Sequence, residues 1–242
     1  MGFVKIKTEK ELSTFDKLGK CAEESPFSMV DILNNFSVYT PRQTVARFLN
    51  RYEMFKKILD VHGSILEFGV YKGAGAFSWL HYSSILEPYN ISRKIYGFDT
   101  FTGFPDISEK DPSTHSKGDL GDASYDELVK AATIHQENIA VTHVPRMEFI
   151  RGDICETLPA FLKKNPHVIA ALVYIDVDIY KPTKTILEMI VKRVPKGGII
   201  AFDELNDERD HGESIALLEE ININNHQIRR NYFDSFPCYM VI

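Results

Sequence analysis

ALVYIDVDIYKPT, residues 171–183, is an apolar run that stops at two carboxylates, Asp176 and Asp178. From Ile169 to Ile175 every residue is apolar. The run is too short to cross a membrane, so it reads as a strand buried on both faces of a parallel sheet. KGGIIAFDELN, residues 196–206, repeats the pattern and stops at Asp203 and Glu204. Ligands of parallel sheets bind at the carboxyl ends of the strands. Two neighbouring strands that end in acids therefore put several carboxylates around one crevice. Carboxylates that close repel unless a proton or a cation lies between them. A single acid there is more often a helix cap or a solvated loop charge; two clusters at equivalent strand ends argue for a site.

Around these strands the chain alternates strand and helix. SILEFGV (64–70), RKIYGFD (93–99) and MEFIRGD (147–153) read as further strands, as do residues 227–233 and 238–242. Helices are predicted over 74–87, from a Ser124 capping box to about 138, over 158–164, from Pro182 to about 193, and over 213–223. This alternation indicates an α/β fold with a doubly wound parallel sheet. Only residues 234–237 join the last two strands. A parallel crossover needs about a dozen residues, so the last strand is predicted to be antiparallel, inserted as a hairpin. Residues 100–123 form a long loop rich in Gly, Asp, Ser and Pro, the mark of a functional lid or of a disordered segment. Thr40-Pro41 starts a helix that carries Val45, Phe48, Leu49, Tyr52, Phe55 and Leu59 on one face and stops at Gly63. Residues 1–60 are thus expected to form a helical extension that caps or oligomerises, and residues 61–242 the main domain. The apolar face of residues 45–59 predicts a homo-oligomer.

The 242 residues are 44% apolar with a net charge of −6. No stripe of Lys and Arg is visible, which argues against a nucleic-acid partner. Cys21, Cys155 and Cys238 are far apart and odd in number, which suggests no disulfide framework and a reducing, cytoplasmic setting. Met1–Ile6 has no apolar signal core, and Ile6 stands where a myristoylation signal has Ser or Thr. No membrane association is expected.

The turn after the first strand, LEFGVYKGAG (66–75), has the spacing G-x-x-x-G-x-G. That differs from the G-x-G-x-x-G that cradles a pyrophosphate and argues against a nicotinamide dehydrogenase. Glu67 precedes the first glycine and suits a cationic group such as the amino end of a methionine moiety. Asp99 ends the second strand, where an acid meets ribose hydroxyls. Asp153 ends the third, within reach of an adenine amino group. With Asp176, these acids at four successive strand ends form a pattern that S-adenosylmethionine would fill.

Five blocks carry a family resemblance: EFGVYKGAGAFSW (67–79), GFDTFTGFP (97–105), GDICETLP (152–159), YIDVDIYKPT (174–183) and PKGGIIAFDE (195–204). In their order and spacing the chain resembles the macrocin and mycinamicin sugar O-methyltransferases. The resemblance covers roughly residues 40–242. It implies a Rossmann-like class I methyltransferase fold: a seven-stranded, mostly parallel sheet, an antiparallel last strand and helices on both faces. It further implies S-adenosylmethionine as cofactor and magnesium held by Asp176, Asp203 and Glu204; the candidate cofactor-binding residues are Glu67, Gly69, Tyr71, Gly73, Asp99, Thr100 and Asp153. The family commonly has Asp-Asp where this chain has Asp203-Glu204, and glutamate's longer arm changes the reach.

The expected chemistry is methylation of a hydroxyl on a sugar or glycosylated small molecule. Such a hydroxyl is neutral at pH 7, and a divalent cation on its oxygen lowers its pKa and orients it. All-oxygen ligands favour magnesium or manganese. Asp176 is expected to double as proton acceptor, with His211 the other candidate; Asp178 is expected to bond a loop backbone. Asp207, Glu208 and Glu213 lie in the same stretch without an assigned role. A catechol-type acceptor and a non-catalytic cofactor-binding scaffold are the competing readings.

Overall fold

The computed structural model describes residues 8–233 and 236–242. The reading of Met1–Ile6 and part of the final hairpin connection, residues 234–235, lie outside them. By contact the chain divides after Leu49 into two compact units.

The first unit holds helices α1 (Glu9–Glu23), α2 (Met29–Asn34), α3 (Phe36–Tyr39) and the start of α4 (Arg42–Lys56). Thr8 and Glu11 form a reciprocal capping box that starts α1, and Ser28 and Asp31 do the same for α2. Neither helix buries a side chain. Phe27, Met29, Val30, Leu33, Phe36 and Val38 are all more than half exposed.

In the second unit, β1 (Ser64–Phe68), β2 (Ile95–Asp99), β3 (Met147–Arg151), β4 (Ala170–Ile175), β5 (Ile199–Phe202), β6 (Ile228–Arg230) and β7 (Cys238–Val241) make one sheet. Its order is β3-β2-β1-β4-β5-β7-β6. β1 to β5 run parallel, and β7 lies antiparallel between β5 and β6, as the short final connection requires. The crossovers carry α5 (Ala74–Leu86), α6 (Tyr125–Gln136), α7 (Ile154–Lys164), α8 (Tyr180–Ile190) and α9 (Gly212–Glu220). α7 starts four residues before the predicted Leu158, because Asp153 caps it by accepting from the Cys155 amide at 2.8 Å. At Ser124 only half of the predicted capping box is recorded: the hydroxyl accepts from the Glu127 amide.

Alternation along the strands splits the core in two. Leu66, Phe68, Val173, Ile175, Ile200 and Phe202 face α7, α8 and α9. Ile65, Leu172, Tyr174, Ile199 and Ala201 face Trp79 and Leu80 of α5, together with Met54, Phe55 and Ile58. α4 ends at Lys56, short of the predicted stop at Gly63; of the predicted stripe Phe55 is buried in the core, and Phe48, Leu49 and Leu59 stay partly exposed. No helix among the described residues is long and apolar enough to cross a membrane.

Arg93, only 1% exposed, ties the entry to β2 onto the α4–β1 connection. It donates to the carbonyls of Ile58 (2.9 Å), Val61 (3.0 Å) and Gly63 (2.9 Å) and pairs with Glu87. Arg93→Leu leaves those acceptors and the Glu87 charge without their donor. It is expected to destabilise the fold by about 3–5 kcal/mol in urea denaturation. A loss below about 1 kcal/mol would contradict this role.

Candidate functional site

The site forms where β1, β4 and β5 end. Gly69 (φ 89°) and Gly73 (φ 88°) take left-handed conformations that admit glycine freely. A Cβ on Gly69 would lie 1.7 Å from the Asp176 carbonyl oxygen, so this glycine lets the β1 and β4 turns cross in near contact. A Cβ on Gly75 would lie 1.7 Å from Glu67 Oε1. The Glu67 carboxylate therefore sits directly over the first turn of α5. It is 1% exposed, its Oε2 has no partner, and burial pushes its pKa well up.

The second turn is organised by Asp99. Its Oδ2 accepts from the amides of Val70 (2.8 Å) and Tyr71 (2.7 Å), and its Oδ1 from that of Phe101 (2.7 Å). Asp99 thus welds the β1 and β2 turns together, and a ribose would meet only its remaining lone pairs. Tyr71 is held through its backbone, with its ring partly exposed. The Thr100 hydroxyl donates to the Gly103 carbonyl (2.6 Å) and accepts from the Thr102 amide, shaping the loop. Asp153 is spent at least in part as the α7 cap, the ordinary role of an acid before a helix.

The two acidic clusters are brought together. Asp203 (2% exposed) and Glu204 (7%) follow β5; Asp176 and Asp178 follow β4. Asp178 takes a left-handed conformation (φ 61°), a strain that collects at functional sites. Burial, then Asp203, pushes its pKa up to about 6. Burial, then Asp178, Asp210, Asp203 and Asp176, pushes Glu204 up to about 9, and its Oε2 has no partner. The donor set is all oxygen and suits a hard divalent cation. The expected ligands Asp176, Asp203 and Glu204 are nevertheless not arranged as a ready-made cage: among the described residues no group of three or more acids, histidines or cysteines has that geometry. Asp203 Oδ1 is instead drawn to the Tyr174 hydroxyl, which donates to it.

Several members of the site carry no sequence motif. Arg51, 6% exposed on α4, sits 5.2 Å from the Tyr174 ring centre. Burial opposes its charge, but Tyr174, Glu67, Asp203 and Asp176 hold its pKa above the usual arginine value. His115, in the long loop, places Nε2 2.8 Å from Asp210. His211, the expected base, sits at the start of α9 with Nδ1 3.0 Å from the Glu208 carbonyl oxygen. The loop that was expected to be a lid is docked. Asp111 accepts from the Tyr180 amide (2.6 Å), Lys110 reaches Tyr180 and Glu219, and Asp106 pairs with Lys181.

A family profile for macrocin O-methyltransferase (TylF) matches residues 44–231. The chain belongs to the macrocin O-methyltransferase family. Among solved structures it is similar to CalS11, calicheamicin methyltransferase: 32% identity over 97% of this chain and 93% of that one, with a TM-score of 0.93. It is also similar to the apo structure of CalS11, described as a TDP-rhamnose 3'-O-methyltransferase: 31% identity over 97% and 95%, with a TM-score of 0.85. The O-methyltransferase NovP, 17% identical over 81% and 79% with a TM-score of 0.62, supports the fold alone. No match emerged among curated protein sequences. As a family member the protein is a methyltransferase, with the fold that binds S-adenosylmethionine.

The raised carboxylates of this methyltransferase give a pH test. Glu204's folded pKa, about 9, lies above the ordinary 4.5, so between those values the folded state holds a proton that the unfolded chain has lost. Stability should therefore fall as pH rises through that window. Glu204→Gln should flatten the fall when melting temperature is followed against pH without added divalent cation. Parallel curves for the two proteins would show that Glu204 is not strained.

Proposed function

We propose that the protein transfers a methyl group from S-adenosylmethionine to a hydroxyl of a sugar or glycosylated small molecule, with a nucleotide deoxysugar as the first acceptor to try. The supporting observation is the crowd of acids at the ends of β4 and β5, buried in the case of Asp203 and Glu204, beside a glycine turn that permits close approach. The near full-length similarity to a TDP-rhamnose 3'-O-methyltransferase suggests the acceptor class.

In this reading S-adenosylmethionine would supply an electrophilic methyl on a sulfonium, and Glu67, whose buried Oε2 has no partner, would hold its ammonium end. Asp99 holds the β1 and β2 turns that would flank the cofactor. A magnesium or manganese ion held by Asp176, Asp203 and Glu204 would lower the pKa of the acceptor hydroxyl. Asp176 takes the hydroxyl proton as the new C–O bond forms and the S–C bond breaks. His211 remains an alternative acceptor if its ring leaves the Glu208 carbonyl. Asp178 shapes the turn. Three free cysteines fit a reducing, cytoplasmic location. The exposed apolar residues of α2 and α3 support a homo-oligomer.

Incubation with S-adenosylmethionine, TDP-rhamnose and magnesium should yield methylated product, and exhaustive chelation should abolish it until magnesium returns. Asp176→Asn should lower kcat/KM by about a hundredfold or more. Asp178→Asn should cost far less, because asparagine tolerates the left-handed turn. Full turnover in the chelated enzyme, or equal loss in the two variants, would refute the metal-assisted mechanism. Catechols run in parallel test the competing acceptor class. Light scattering at about 20 µM, an ordinary interface affinity range, should show a dimer or larger species; a monomer would count against assembly.

A further inference from the structure

Glu213, at the second position of α9, is 0% exposed, and both its carboxylate oxygens are committed to backbone. Oε1 accepts from the amides of Val177 (3.2 Å) and Asp178 (3.3 Å). Oε2 accepts from the amide of Glu204 (3.4 Å). The first two amides belong to the turn that carries Asp176, and one of them is the left-handed Asp178. The third belongs to the turn that carries Asp203 and Glu204. One side chain therefore spans the two turns that present the acids. The β4–β5 ladder ends with the Asp203 amide donating to the Ile175 carbonyl at 2.9 Å, and Glu213 continues the link past that point.

The approach is enforced from behind. A Cβ on Gly212 would lie 2.8 Å from Asp111 Oδ1, the Asp178 carbonyl oxygen and the Tyr180 amide nitrogen. The start of α9 is thus pressed onto the β4–α8 turn, which leaves Glu213 little freedom. Nor does the arrangement come cheaply in electrostatic terms. Burial and then Asp178, Asp176, Asp203 and Glu204 all work against a charge on Glu213. No lysine or arginine pairs with it among the described residues. A side chain that only filled space here would do so at lower cost without the carboxylate.

We propose that Glu213 is a positioning residue that sets the spacing between Asp176 on one turn and Asp203 and Glu204 on the other, and so controls how well these acids bind a divalent cation. This rests on the metal-assisted reading above. Residues that orient ligands in this way are worth about 10–100-fold in metal affinity. Glu213→Gln keeps the shape and one acceptor oxygen but sets an N–H donor against a backbone amide. Glu213→Ala removes both links.

The test uses the full chain and Mn2+ alone as probe, with free Mn2+ followed by electron paramagnetic resonance. Amide exchange at residues 177, 178 and 204 and calorimetric affinity for S-adenosylhomocysteine are measured on the same samples. The wild type should bind Mn2+. Glu213→Gln should weaken that binding about tenfold or more and speed exchange of at least one of the three amides, with S-adenosylhomocysteine affinity unchanged. If Glu213→Ala does not fold, the Gln variant carries the test. Unchanged Mn2+ affinity in a folded variant, even with faster exchange, would reduce Glu213 to a structural cap and overturn the proposal. A wild type that binds no Mn2+ would overturn the metal reading itself, and this proposal with it.

Discussion

Too many carboxylates share too little water at the ends of β1, β4 and β5, and much of the surrounding structure answers that fact. Glu67, Asp203, Glu204, Asp210 and Glu213 are each less than 9% exposed, and Asp176 and Asp178 stand beside them. Ionised together in a medium of low dielectric, they would force the strand ends apart. Arg51 is the buried cation set among them, its charge favoured by Glu67, Asp203 and Asp176. Tyr174 donates to Asp203 and lies under Arg51, linking the cation to the β5 acid. Backbone amides, held by Glu213 and Asp99, take up part of the remaining negative charge. A cluster of this kind costs stability, and a bound cation would return it.

Glycine and the loop geometry then decide how closely the turns approach. Gly69 permits the near contact with Asp176, and Gly75 makes room for Glu67 over α5. The ends of β1 and β4 are thereby joined through backbone rather than through long side chains, which favours fixed geometry between them. The loop of residues 100–123 is pinned by Asp111, Lys110, Asp106 and His115 to α8, α9 and the loop after β5. It behaves as a built wall of the crevice in this state, and opening it would break several polar contacts at once.

The sheet was legible because its strands are short apolar runs ended by turn residues, and the hairpin strand because a short link forbids a parallel crossover. The acids at the strand ends were legible for the same reason: topology places them. What each acid bonds was not. Asp99 and Asp153 look alike in sequence, each closing a strand, yet one welds two turns through three amides and the other caps a helix. Arg51 was not legible because a helix of mixed polarity gives no sign of which charge turns inward. His115 was hidden in a loop without periodicity, whereas His211 stood out only by its closeness to Asp203 and Glu204 in sequence. Glu213 was one of several polar residues in the stretch after the acidic pair, and only the fold of α9 onto the β4 turn distinguishes it.

The central claim is that the acids after β4 and β5 form one cation site that serves methyl transfer. Crystals of the protein grown with Mn2+ and S-adenosylhomocysteine, measured at the manganese absorption edge, test it most directly. The account predicts an anomalous peak at ligating distance from the carboxylates of Asp176, Asp203 and Glu204, with Asp203 released from the Tyr174 hydroxyl. Crystals that hold S-adenosylhomocysteine but show no peak there, or show manganese bound elsewhere, would contradict it.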